Sequence, residues 1–200
     1  MNVIFRDRWL LVIDKPHGLP TQPTRDGDDS VFTRLQRQEP YVALHHRLDQ
    51  PASGLVLFAV DPSVNEALTE AFREHDLDRV YAAVLSGVPA AKVWDRPIEG
   101  KPAKTHVEVI GKASGLCAAR LTLDTGRTHQ IRQHAAFAGT PLLGDRKYGG
   151  EMGRRWPRLA LHACQLAFKH PMTGAQIALE APIPADLIEL WNRAGGSSTD

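Results

Sequence analysis

The chain holds only two cysteines, Cys117 and Cys164, in 200 residues. Both lie in apolar patterns, without metal-site spacing or a disulfide framework, and read as reduced core thiols. Long apolar runs are missing too, and no stretch approaches the length of a membrane span. The N-terminal MNVIFRDRWLLVIDKP mixes charge into its apolar residues and meets Pro16 early, so it reads as strands and not as a secretory signal. Charge of one sign is also lacking: 24 Lys and Arg face 23 Asp and Glu, a net charge of +1. Composition by itself therefore does not suggest a nucleic-acid binder. There is no dinucleotide-binding glycine fingerprint, no P-loop, no HExxH pattern, no internal repeat and no low-complexity linker. What remains is an ordinary globular composition, 42% hydrophobic and 24% charged, long enough for one good core or two small ones, and pointing to the cytoplasm.

The densest segment is HHRLDQPASG, positions 45 to 54. Asp49 follows Arg47 by two residues and precedes a Pro-Ala-Ser-Gly turn. The apolar run Leu55 to Val60 then reads as a buried strand. A carboxylate on a turn feeding a strand is held at an edge of the core, and a nearby guanidinium favours its ionised form. That suits a nucleophile or a general base, and equally a structural ion pair.

Strand-like segments dominate the rest. Trp9 to Ile13 is apolar and stops at Lys15-Pro16. Thr105, Val107 and Val109 alternate with His106, Glu108 and Ile110 at a period of two. Leu116 to Leu123, Leu159 to Phe168 and Ala175 to Glu180 follow. Helices are fewer. Ser30 can cap one carrying Val31 and Leu35. Asp61 can cap another starting at Pro62, with Val64, Ala67, Leu68, Ala71 and Phe72 on one face. Thr128 can cap a helix over 129 to 138 that Gly139 ends. A last helix holds Leu187, Leu190 and Trp191, and Gly195 to Asp200 reads as a frayed tail. Many strands with few interspersed helices predict an α+β fold with a mixed, mainly antiparallel sheet and flanking helices.

Cations cluster locally despite the neutral total. Arg146, Lys147, Arg154, Arg155 and Arg158 lie close together, with Arg127, His129, Arg132 and His134 just upstream. A cationic cleft fits these clusters, as does a solvated face. His45, His46 and Asp49, or His129 and His134, invite a metal reading. The five-residue spacing of the latter pair is not the four that puts two ligands on one helical face, so no metal is expected.

Five segments, in order, resemble those of the RluA-type pseudouridine synthases. HRLDQPASG resembles that family's HRLD-x-x-[TS]-S-G signature. GRTHQIRQHAAFAGTPLLGDRKYG, positions 126 to 149, resembles its G-R-T-H-Q-I-R-x-H segment with the G-x-P-[IL]-x-G-D-x-x-Y-G continuation. RVYAAVLSG at 79 to 87, DKPHGLP at 14 to 20 and LALHACQLAFKHPMTG at 159 to 174 complete the set. Together they span roughly positions 1 to 184. The departures are Ala52 where Thr is usual, Arg79 where Lys is usual, and Gln133 in place of a small aliphatic residue.

The resemblance implies one catalytic domain over 1–194, built around a long bent sheet with a central cleft. It implies no separate N-terminal RNA-binding domain and a frayed tail at 195–200. It implies isomerisation of uridine to pseudouridine in a ribosomal or transfer RNA stem-loop, by a monomer without cofactor. Asp49 would be the catalytic aspartate, by attack on the sugar or by proton abstraction. Tyr81 would stack on the target uracil, and Arg132 would reach Asp49, keeping it ionised and oriented. Arg47 would support the stack vacated by the flipped base, since extrusion costs a few kcal/mol of stacking. His46, Arg127, Thr128, His129, Arg154 and Arg155 would bind substrate, with phosphate near the start of the helix after Thr128. An RNA-binding protein with a dead site, or a metal-dependent hydrolase, are the alternatives. Activity is expected to survive EDTA; loss on chelation with rescue by one particular divalent ion would restore the His45/His46/Asp49 metal reading.

Overall fold

The computed structural model describes residues 1–25 and 27–197. They pack as two compact units: Met1–Arg79 with Ala163–Ala181, and Val80–His162 with the chain from Pro182 onward. Neither unit is one continuous stretch of sequence, so no single cut separates them. Both are α+β and mainly antiparallel, as the pattern of strands and helices predicts.

In the first unit, β1 (Asn2–Arg6), β2 (Leu10–Lys15), β4 (Ser53–Ala59) and β9 (Leu161–Lys169) lie side by side in that order. The short β3 (Ala43–Leu44) also pairs with β4, and β10 (Gln176–Glu180) pairs with β9. β2 runs antiparallel to β4 from Leu10 opposite Ala59 to Lys15 opposite Gly54. Every residue of β4 is buried, which accounts for its unbroken apolar run: both faces are covered. Leu10, Val12, Leu55, Leu57, Leu166 and Phe168 from the sheet meet Val64 and Leu68 in the core. Helix α1 (Val31–Gln36) begins where expected, with a reciprocal capping box between Ser30 and Thr33. After Asp61, whose side chain accepts from the Ser63 N–H, the first turn is 3-10 (Pro62–Val64) and only then becomes α2 (Asn65–Glu74).

In the second unit, β5 (Leu77–Leu85), β8 (Leu116–Leu123), β7 (Thr105–Ala113) and β6 (Val93–Trp94) are neighbours in that order, with the first three residues of β5 in the first unit. The two-residue period of β7 fails at Val109, which is exposed, because the register shifts between Val109 and Gly111. A Cβ on Gly111 would sit 1.9 Å from the Gly195 carbonyl oxygen, so the irregular strand makes room for the chain after α4 (Ala185–Arg193). Leu187, Leu190 and Trp191 bury as expected, and the Ala118 N–H donates to Ala194 O. Gly195 to Ser197, expected to fray, are held instead: the Gly196 N–H donates to Trp191 O, and Trp191 Nε1 donates to Ser197 O at 3.0 Å. Residues 198–200 of that tail lie outside the described residues. Among the described residues no helix is long and apolar enough to cross a membrane.

One side chain organises the loops of the first unit. Lys15 is fully buried at the end of β2. Its ammonium donates to the carbonyls of Pro16 (3.0 Å), Leu19 (2.8 Å), Gln50 (3.3 Å) and Ala52 (2.5 Å). A buried charge is tolerated only when its donors are satisfied, and here the satisfaction ties residues 16–19 to residues 50–52. Lys15→Met keeps the stem and strips these carbonyls of their donor. It is expected to cost at least about 2 kcal/mol, since a buried unsatisfied polar group costs about 1–3 kcal/mol. Urea denaturation checks this, and a wild-type midpoint would sink it.

Candidate active site

Asp49 sits on the turn that the Lys15 ammonium grips. Leu48 is buried between exposed Arg47 and half-buried Asp49. The Leu48 N–H donates to Thr21 Oγ1 at 3.1 Å, and the Thr21 hydroxyl donates back to Leu48 O at 2.8 Å. The turn closes through Ala52 N–H to Asp49 O at 3.0 Å, while Gly18 N–H donates to Gln50 O at 2.8 Å. The alanine that replaces the usual threonine leaves this turn intact. Gly54 follows with φ +115°, and a Cβ there would lie 2.3 Å from Ala163 O on β9. No side chain fits at that point, so the backbone after Asp49 is fixed against the sheet. A carboxylate so held has its position set by backbone bonds on both sides, which a reacting group needs.

The two histidines before it belong to the fold. His45 Nε2 lies 3.1 Å from Asn65 Oδ1, and its Nδ1 faces the Thr69 hydroxyl. His46 Nε2 accepts the Leu57 N–H at 2.8 Å, and its ring stacks on Phe72 with centroids 4.8 Å apart. Burial, and then the Arg79 charge, push the His46 imidazole down to about 3, so it is neutral at physiological pH. His46 is thus tied to β4 and α2. Among the described residues no group of three or more His, Cys, Asp or Glu could hold a metal ion.

In the second unit Tyr81 is buried on β5, opposite Leu121 of β8. Helix α3 (Gln130–Phe137) departs from expectation at its start. Thr128 is not the cap. His129 occupies that position in a left-handed conformation (φ 53°) with no side-chain capping bond. The Gln130 side chain, the first of the helix, instead ties the preceding loop to β7. Its Oε1 accepts from Arg127 N–H (3.0 Å) and the Thr125 hydroxyl (2.7 Å), while its Nε2 donates to Lys104 O (2.9 Å) and Thr105 Oγ1 (3.1 Å). All four hydrogen-bonding positions of this buried amide are satisfied, which fixes the start of the helix against the loop before it. Gly139, at φ +74°, lies just past the helix end as expected. Gln133, at half burial, donates to Thr128 O and does not disturb the helix.

Arg132, expected at the edge of the apolar face, is buried. Its Nε and Nη2 donate to Asp145 Oδ2 and Oδ1 at 2.9 and 2.8 Å, and its Cζ lies 5.2 Å from the Tyr148 ring centre. Asp145 Oδ1 also accepts the N–H groups of Lys147 (3.0 Å) and Tyr148 (3.1 Å). Tyr148 OH in turn meets His129 Nδ1 at 2.9 Å. Asp145 and Tyr148 escaped the sequence reading. Both lie in the quoted GDRKYG, but nothing local shows that this carboxylate turns back thirteen residues to an arginine.

The basic cluster also divides. Arg154 and Arg155 are exposed around a 3-10 turn (Met152–Arg154), Arg127 is half-buried with Nε on Pro102 O, and Arg146 and Lys147 are exposed. Arg158 does not belong with them: it is buried, and its Nη1 donates to both Asp186 oxygens at 2.8 and 2.9 Å. An acidic residue in the first turn of α4 neutralises it.

The sequence profile of the RNA pseudouridylate synthase family matches residues 9–137. The ribosomal large subunit pseudouridine synthase D of Vibrio cholerae is 33% identical over 225 residues, covering 95% of this chain and 69% of that protein. The Yersinia pestis protein of the same name is 33% identical over 227 residues, covering 96% and 70%. Among solved structures, human RNA pseudouridylate synthase domain containing 1 matches with TM-score 0.77 and 26% identity, over 92% of this chain and 83% of that one. Human RNA pseudouridylate synthase domain containing 4 shares the fold, with TM-score 0.78 and 23% identity, over 97% and 93%. The class is that of isomerases that convert uridine in RNA to pseudouridine. The chain belongs to the RNA pseudouridylate synthase family.

Asp145 generates a pH dependence. Burial by itself raises its carboxyl, but the Arg132 hydrogen bonds and charge, with the Tyr148 and Lys147 N–H groups, outweigh that and hold it below the ordinary carboxylate value. A carboxyl depressed in the folded state stabilises above its unfolded pKa, about 3.9, and that contribution fades as pH falls through the folded value. Stability is therefore expected to drop below about pH 4, with a shallower drop in Asp145→Asn. Urea midpoints from pH 6 to pH 3 test this; parallel curves for the two proteins would refute it.

Proposed function

We propose that this protein converts one class of uridine, presented in a stem-loop of ribosomal or transfer RNA, into pseudouridine, with Asp49 as the catalytic carboxylate. The names of its relatives favour ribosomal RNA. The observation that carries the reading is the Asp49 turn: a half-buried carboxylate in the HRLD segment, fixed by Lys15, Thr21 and Gly54.

The reaction balances without a cofactor. The N1–C1′ bond breaks, the uracil rotates, and a C5–C1′ bond forms. C5 loses its proton and N1 regains one. Asp49 either attacks C1′ or removes a sugar proton to leave a glycal. Both routes need an ionised carboxylate at a fixed place. Tyr81 offers a flat face to the uracil and a hydroxyl for the C5 proton. Arg132 serves as the third catalytic residue, and Arg47 supports the stack that the extruded base leaves. The half-buried Arg127, the exposed Arg154 and Arg155, and Thr128 and His129 at the start of α3 bind the RNA, as does His46 in the Asp49 segment. Residues 1–194 act as one catalytic domain, in a monomer that works in the cytoplasm. A loop uridine costs least to extrude, since it is already weakly stacked.

The test is tritium release from RNA carrying tritium at uridine C5. Asp49→Asn is expected to abolish release while RNA affinity and fold persist, because the amide keeps the shape and loses the charge. Turnover by this variant, shown to be free of deamidation, would overturn the mechanism. Tyr81→Phe is expected to lose more turnover than binding.

RNA binding is expected to weaken as salt rises, through counterion release. Replacing Arg154 and Arg155 together by Gln is expected to reduce the slope of log affinity against log salt by about two. An unchanged slope would put the RNA elsewhere.

A further inference from the structure

We propose that Asp145 is a positioning residue of the uridine isomerisation, holding the Arg132 guanidinium in one orientation against the Tyr148 ring. Arginine has a long stem with many rotamers, and its charge survives at any working pH. Left to itself, a guanidinium at a reaction centre would have to be ordered anew in each turnover. Here the ordering is done in advance. Asp145 takes Nε and Nη2 together, in the planar two-pronged contact that sets direction as well as distance. Tyr148 places its ring beneath the same group.

The carboxylate is itself immobile. Its Oδ1 accepts two backbone N–H groups, from Lys147 and Tyr148. Its own carbonyl accepts the Gly149 N–H at 2.8 Å. A Cβ on Gly149 would lie 2.5 Å from that carbonyl oxygen, and one on Gly153 2.0 Å, so the loop coils around Asp145 only because both are glycine. Gly144, at φ +72°, meets the Arg158 carbonyl oxygen at 1.6 Å from a hypothetical Cβ and closes the other side. A plain structural ion pair does not need this scaffold. A buried pair can often be replaced by apolar side chains at little cost in stability, so its retention with three close-packed glycines points to orientation of the arginine. Asp145 can act this way only if Arg132 serves turnover, as proposed above.

The experiment is a cycle of D145N, R132Q and the double variant, with D145E beside it. The readouts are kcat for tritium release at saturating RNA, RNA affinity by filter binding, and near-ultraviolet circular dichroism to establish the fold. D145N is expected to lower kcat by about a hundredfold, the scale of an ångström-level misplacement, with RNA affinity unchanged. In the R132Q background the same change is expected to have no further effect on kcat. D145E keeps the charge but moves the carboxylate by one methylene. It is expected to lose kcat as well, and it decides the matter if D145N does not fold. Wild-type kcat in folded D145N or D145E, with only the melting temperature reduced, would overturn the proposal while R132Q remains impaired. Independent, multiplying effects of D145N and R132Q would overturn it too. Wild-type kcat in R132Q would instead remove the role given to Arg132 itself.

Discussion

A lysine ammonium stripped of water has to find oxygen atoms, and in this fold it finds backbone carbonyls. Lys15 reaches the loop that follows its own strand and the turn that carries Asp49, thirty-five to thirty-seven residues further on. Backbone carbonyls cannot be replaced by rotating a side chain, so the geometry of both loops is coupled to one charge. Everything downstream inherits that coupling. The Thr21–Leu48 exchange completes the same clamp, and Gly54 passes the chain into β4 with no room to shift. The carboxylate we propose as catalytic, Asp49, is thereby carried on a turn held by that buried cation.

The fold was legible wherever local pattern decides. β8 begins and ends at the predicted residues because a turn glycine and an aspartate bracket its apolar run. The Ser30 cap and the buried face of α4 followed from local sequence pattern. Reading failed where a distant partner decides. The alternation of β7 gives no hint that it breaks at Val109, since the cause is Gly195 arriving from the far end of the chain. Thr128 has the right chemistry for a cap, but the chain turns into the helix one residue later, at the left-handed His129, with Gln130 tied to Arg127 and Lys104. The same holds for the site. Asp49 and its neighbours announce themselves as a segment, whereas Asp145 becomes meaningful only when its loop folds back on Arg132.

The charges show why a net of +1 is a poor guide to function. Several cations are spent internally: Lys15 on carbonyls and, from the sequence clusters, Arg132 on Asp145, Arg158 on Asp186 and Arg127 in part on Pro102 O. The clustered cations that stay exposed, Arg146, Lys147, Arg154 and Arg155, are fewer than the clusters suggest. A modest number of exposed cations suits a protein that must release a long polyanion after each turnover, because every phosphate contact adds to the salt-dependent hold.

The path of the chain through its two units has a consequence for synthesis. The first seventy-nine residues cannot complete their unit until Ala163–Ala181 has been made, and the second unit waits for the segment after Pro182. At ribosomal speeds of about 5–20 residues per second, the Asp49 turn and its half-built sheet stay without the β9 strand for roughly 5–20 seconds. During that time the edge of β4 that β9 will occupy, on one of the most apolar strands of the protein, is covered only at Phe58 and Ala59, by the short β3. An unpaired apolar edge is a template for aggregation. The interval before β9 emerges is thus when this chain most needs a holding chaperone, and a faster unfolding–refolding cycle in the finished protein would not shorten it.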